Sequence, residues 1–210
     1  MKNSFIILFT LLFFQSFLSA EDLFIEAKKI NLDKNKELSI FEEDVIITTA
    51  ENNIIKSEYA EYNKKTGIIV LKKNIEAIDK KKNKILSNYA IYDENLKKLN
   101  SIGTTKIVTS ENYIIDGSDI IFDDLNKFLI SDDKTIITDQ DGNKIFLDNF
   151  EYLIDQYIFK SIGKIKVIDN LENSYNFSQV YIDTQKKELL GTDNKTFINT
   201  DSFKIDNRNK

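Results

Sequence analysis

The 210-residue sequence has no cysteine, histidine, proline or tryptophan, and only six glycines. Without cysteine there is no thiol nucleophile, no zinc–thiolate site, no iron–sulfur cluster and no disulfide to report on the redox compartment. Without histidine the commonest general base and metal ligand is missing. Carboxylates alone are left for acid–base work, which argues against an enzyme. No residue stands out as catalytic or metal-ligating, and no cofactor is expected. A net charge of −5 provides no electrostatic footprint for nucleic acid. Long hydrophobic runs are absent after the first 20 residues, so a spanning helix is not expected there.

The N-terminus itself reads as a targeting segment. Lys2 supplies the positive end, Phe5 to Phe14 is apolar apart from Thr10, and Gln15-Ser16 interrupts the run. Leu18-Ser19-Ala20 then provides a small-residue cleavage site before Glu21-Asp22. This layout predicts a secretory signal peptide over residues 1–20 and an exported mature chain. Residues 21–206 are expected to form one domain and 207–210 a short tail.

What the sequence does have is a period of thirty. Starting from Ile55, Ser57, Ala60 and Tyr62, four columns recur. The first is Ile25, Ile55, Ile85, Ile115, Ile145 and Tyr175, and the second Ala27, Ser57, Ser87, Gly117, Leu147 and Phe177. The third is Ile30, Ala60, Ala90, Ile120, Phe150 and Val180, and the fourth Leu32, Tyr62, Tyr92, Phe122, Tyr152 and Ile182. No charged residue enters any column, although 30% of the chain is charged.

The spacing within a unit is two, three, two, which is not helical. Ile55 and Ser57 share one face of a strand, and so do Ala60 and Tyr62. The odd step at Glu58-Tyr59 predicts a bulge that swings the strand and keeps both halves facing one interior. Two short strands joined by a tight turn are the alternative. Polar turns begin at Asp33, Asn63, Asp93, Asp123 and Asp183, as hairpins require. A return strand follows each turn and carries a fifth apolar column of Ile47, Ala77, Ile107, Ile137, Val167 and Phe197. The expected fold is all-β: six bent hairpins, about twelve strands, stacked as an open two-sheet roll.

The repeated apolar-x-small-x-x-Ala-x-Tyr strand behind a signal peptide resembles the OstA-like domain of lipopolysaccharide transport proteins. Ile54 to Ile78 and Ile85 to Gly103 carry the likeness, which extends from Phe24 to Phe203. It looks most like the periplasmic N-terminal domain of the outer-membrane assembly protein, and next like the free-standing periplasmic bridge protein. The resemblance implies a V-shaped β-jellyroll in the periplasm of a Gram-negative bacterium, associated with the outer membrane. It implies a trough for lipopolysaccharide acyl chains and end-to-end joining with related rolls by edge-strand pairing. The outer-membrane barrel is a further partner if this sequence is a piece of the longer assembly protein. On this reading the lipid-binding residues are Ile55, Ser57, Ala60, Tyr62, Ile85, Ser87, Ala90, Tyr92, Ile115, Gly117, Ile120 and Phe122. The small second-column residues predict more free volume in repeats one to four than in the last two, where Leu147 and Phe177 fill the column.

The same columns could instead pack on one another as a closed core, in a secreted β-roll adhesin or glycan-binding module. The turn lysines Lys64, Lys65 and Lys80 to Lys82 could meet lipid phosphates or simply be solvated. Asp139 to Asn143 matches the start of a calcium loop, but the later Glu is missing and Asp-Gly is a common hairpin turn. Asn176 and Asn194 fit the glycosylation pattern, as is expected by accident in so Asn-rich a chain.

Overall fold

The computed structural model describes residues 23–33 and 36–199, so the predicted signal peptide and the C-terminal tail lie outside the described residues. Every described element is a strand. The first arm is β1 (Phe24–Glu26) with β2 (Lys29–Asp33). Four unbroken arms follow: β3 (Leu38–Thr48), β4 (Ile54–Asn63), β5 (Ile68–Ile78) and β6 (Lys84–Asp93). The next four are interrupted midway: β7 (Lys98–Ser101) with β8 (Thr104–Val108), β9 (Ile114–Ser118) with β10 (Ile121–Asp123), β11 (Phe128–Ser131) with β12 (Thr135–Thr138), and β13 (Lys144–Leu147) with β14 (Phe150–Leu153). β15 (Ile158–Ile168) and β16 (Ser174–Asp183) are unbroken, and β17 (Glu188–Thr192) with β18 (Lys195–Phe197) ends the series.

These twelve arms form an antiparallel meander, each paired with the next along the chain. The predicted bend is present. Register shifts lie between Lys56 and Tyr59 on β4 and between Lys72 and Ile75 on β5, at the odd step of the repeat. Glu43, Asp44, Lys73 and Asn74 take left-handed backbone conformations there, as bulge residues do. In three of the six outgoing arms the alternative holds instead, and two short strands meet at Ala27-Lys28, Asp119-Ile120 and Asp148-Asn149. Asp119 adopts a positive φ, which Asp tolerates better than most residues, and this ends the ladder.

The bends divide the meander into two half-sheets. Half-sheet I holds β2, β7, β10, β11, β14, β17 and the hairpin-side halves of the unbroken arms. Half-sheet II holds β1, β8, β9, β12, β13, β18 and the other halves. No strand pairing crosses from one to the other. Between them lies one apolar cluster running from Phe41 to Ile182. All five predicted columns point into it, and three more on the return arms do too. Those are Ile69, Leu99, Leu129 and Phe159; Phe41 and Leu71 with Ser101, Ser131 and Ser161; and Val45, Ile75, Thr105, Thr135 and Ile165.

At the two ends the roll is open among the described residues. β1 and β2 pair only with β3, and β17 and β18 only with β16. Inward columns become exposed there: Ile30 is 55% and Leu32 60% accessible at one end, and Phe197 53% at the other.

Candidate functional site: the interior and its polar lips

The interior is where the sequence places the lipid-binding residues. Ile55, Ser57, Ala60, Ile85, Ser87, Ala90, Tyr92, Ile115, Ile120 and Phe122 are all buried, while Tyr62 and Gly117 are half-buried. Ala60, Ala90 and Ile115 are fully covered. Tyr62 donates a 2.8 Å hydrogen bond to Glu94, and burial followed by that carboxylate pushes its hydroxyl up to about 12.

The small second-column residues have a use that their size alone does not reveal. Ser57 Oγ donates to the Tyr59 carbonyl (3.0 Å) and Ser87 Oγ to the Tyr89 carbonyl (3.1 Å), both at the bend. On the return arms Thr105 bonds the Gly103 carbonyl, Ser131 the Ser118 carbonyl, Thr135 the Asp133 carbonyl and Ser161 the Asn149 carbonyl. At the bends the ladder loses register and the hydroxyls add bonds to carbonyls there, two of which, Tyr89 and Gly103, also accept from the backbone N–H groups of Ile102 and Asp119. A row of buried hydroxyls thus runs along the crease, and the small residues mark it.

The distribution of free volume follows. Between repeats one and four the interior contains a void of about 20 Å³, bordered by Ile55, Ala77, Ile85, Tyr92, Leu99 and Phe122. This gap is far smaller than the space expected from the small second-column residues. The larger cleft, about 660 Å³, borders Gly117, Leu147 and Phe177 but touches half-sheet II and its bend only, with Lys134, Ile136, Phe146 and Lys166 around it. Its lining mixes inward column residues, Gly117, Thr135, Leu147, Ile165 and Phe177, with outward ones of the same half-sheet. Phe177 itself lies over Gly191, on the facing half-sheet.

The two half-sheets are staggered as well as folded. The void is bordered by β3 to β6 on half-sheet II but by Tyr92, Leu99, Phe122 and Leu129 on half-sheet I. Opposite the crease, turns of one half-sheet therefore meet turns of the other one to two repeats further on, along two polar lips. Asn53 Nδ2 donates to Asp124 Oδ2 at 2.9 Å, and Lys127 pairs with Asp124 at 2.5 Å. Lys97 pairs with Glu51 at 3.3 Å. Lys81 donates to the Ile154 carbonyl (3.0 Å), pairs with Asp155 (2.9 Å) and sits over the Tyr157 ring. Tyr152 donates to Glu111 at 3.1 Å. Asn53 and Asp124 are buried, and the second carboxylate oxygen of Glu51 is buried without a hydrogen-bond partner among the described residues.

These lip residues were not visible as a group in the sequence, where they read as ordinary turn residues. Lys81 is committed to the opposite lip, whereas Lys64 lies on an exposed turn. Asp139 is committed too. It accepts from the backbone of Asp141 and Asn143 and from the Asn143 side chain. The same cap recurs at Asp79 with Asn83 and at Asp169 with Asn173, so the segment is one of a series of hairpin turns.

No protein-family model and no curated protein matches the chain. Among solved structures, it is similar to LptH of Pseudomonas aeruginosa, described as the LptA-homologous periplasmic component of the lipopolysaccharide transport device. The two are 13% identical, with 85% of this chain and 95% of that chain covered, at a TM-score of 0.28. It is also similar to the TCP10 domain of CPAP from Danio rerio, solved with a STIL peptide, at 8% identity, 80% and 97% coverage and a TM-score of 0.21. At these identities and scores neither likeness assigns the chain a function.

Proposed function

We propose that the chain is a non-enzymatic periplasmic carrier module that holds lipopolysaccharide acyl chains between its two half-sheets and joins related rolls end to end. The observation that carries this reading is the continuous apolar cluster between the half-sheets, edged by buried Ser and Thr at the crease and left open at both ends of the stack among the described residues. Each methylene moved from water into such an interior contributes about 0.8 kcal/mol, so a few acyl chains can offset the contacts they displace. The outer edges of β1–β2 and β17–β18, which have no strand partner among the described residues, with Ile30, Leu32 and Phe197 exposed beside them, fit edge pairing with another roll.

A second reading is favoured by the near-absence of interior space. A core with a void of about 20 Å³ suits a secreted β-roll whose specificity is outside, such as an adhesin or glycan-binding module. Photo-crosslinking residues at Ala60, Ala90 or Tyr92, compared with one at Lys64, separate the two. The carrier captures lipopolysaccharide only from the interior positions. Equal labelling at all four sites, or none at any, supports the closed-core alternative.

A further inference from the structure

The carrier reading and the closed interior together pose a question of access. We infer that the polar lips between repeats one and five are a latch, and that acyl chains enter sideways by parting them about the crease. This rests on the carrier reading above for the ligand, but not for the latch itself.

Three observations carry it. First, no strand ladder crosses the crease; the chain and a few side-chain hydroxyl bonds, such as Ser131 to the Ser118 carbonyl and Ser101 with Thr105, join the half-sheets there. The crease is built from left-handed residues and hydroxyl–carbonyl bonds, some within one bend and some between neighbouring arms, so swinging the halves strains those few bonds but breaks no strand pairing. Second, the lips are held by a short series of side-chain contacts: Glu51 to Lys97, Asn53 to Asp124 and Lys81 to Asp155. Their partners are 46, 71 and 74 residues apart in sequence, so each ties one half-sheet to the other across the opening. Third, the closed latch is imperfect. Glu51 is paired with Lys97 through one oxygen, but its other carboxylate oxygen is buried without a hydrogen bond among the described residues, and an unmade bond there favours a state in which water reaches it. The void bordered by Ile55, Ala77 and Ile85 lies directly behind Asn53, so parting the lips exposes the interior at its existing gap.

The test has one arm without lipid and one with it. The chain lacks cysteine, so an introduced thiol is the only one present. Ala77→Cys places a small thiol at the void. Its reaction with a maleimide is compared in the parent and with Asp124→Asn or Glu51→Gln added. Losing one charge-assisted lip contact is expected to speed labelling by about tenfold or more while amide exchange in the β4–β5 ladder stays slow. Unchanged labelling in both variants, or labelling that rises only in step with ladder exchange, overturns the latch. Glu51→Gln is the milder change should Asp124→Asn compromise folding. In the second arm, Asn53→Cys with Asp124→Cys is bridged by a short bis-maleimide, and capture of lipopolysaccharide by a photo-crosslinker at Ala90 is measured. Capture before bridging and its loss afterwards supports entry through the lips, and undiminished capture overturns it. If labelling opens as expected but neither form captures lipid, the latch stands and the carrier reading fails.

Discussion

Phe177 and Gly191 offer the sharpest quantitative check on how the half-sheets face one another. Phe177 lies on β16 and Gly191 on β17, and an added Cβ at Gly191 would fall 2.2 Å from the Phe177 ring. Gly191 has an ordinary strand backbone, with no positive φ. Alanine there is therefore excluded by the ring alone. Gly191→Ala is expected to destabilise by about 1–3 kcal/mol, the usual range for overpacking. Phe177→Ala removes a ring that is half-buried, so about 1.5–3 kcal/mol is expected, below the 3–5 kcal/mol of a fully buried Phe. In the double variant the clash is gone. Gly191→Ala made on top of Phe177→Ala should then be neutral, or stabilising by about 0.4–1 kcal/mol through lost unfolded-state entropy. For a domain of this size the single losses correspond to about 2–12 °C in Tm. With no tryptophan present, far-ultraviolet circular dichroism in urea follows the transition. If Gly191→Ala costs the same with and without the ring, the packing of Phe177 across the crease is wrong.

Leu71 is fully buried at the centre of the meander, so Leu71→Ala should lose about 2–5 kcal/mol in the same urea titration. Asp123 gives a pH test. Burial alone would raise its carboxyl, but the side chain and backbone N–H of Asn126 and the Lys98 ammonium hold it below the ordinary aspartate value. Its folded pKa is depressed, so its contribution is present above the unfolded value of about 3.9 and lost as pH falls through the lower folded value. Asp123→Asn should flatten the acid limb of stability measured from pH 6 down to pH 2, and an unchanged slope would discount the pairing. At the open edge, Ala27→Pro falls in the break between β1 and β2 and should weaken binding to a related roll at little cost in Tm. Ile25 lies opposite Ile47 within the β1 ladder, so a proline there disturbs that pairing as well as the outer edge and separates the two less cleanly.

Much of this architecture was legible in the thirty-residue period. Column residues such as Ile55, Ala60 and Ile115 are buried because alternation along a strand states which side of the sheet a residue occupies. Turn chemistry at Asn63, Asp93, Asp123 and Asp183 was equally readable, since each caps its own hairpin through backbone N–H groups within three residues. What a period cannot state is which residue lies opposite. The stagger that brings Asn53 to Asp124 accumulates from the twist of successive arms, and nothing local to either residue announces it. The part Ser57 and Ser87 play at the bend was hidden for a related reason. Their size suggested space, and nothing local announced that their hydroxyls also donate to the carbonyls of Tyr59 and Tyr89 two residues on. Asp119 and Asp148-Asn149 break their arms because short polar residues tolerate the turn, a substitution within the repeat that the columns step over.

The claim on which the account turns is that the interior takes up acyl chains. Methyl-labelled alanine measures this directly, because Ala60, Ala77 and Ala90 line the interior while Ala50 lies in a turn at the lip. On adding lipopolysaccharide, intermolecular nuclear Overhauser effects should connect acyl-chain protons to the methyls of Ala60, Ala77 and Ala90. If those three methyls keep their shifts and show no such contact under conditions where the lipid is demonstrably bound, the interior is a closed core and the carrier account is contradicted.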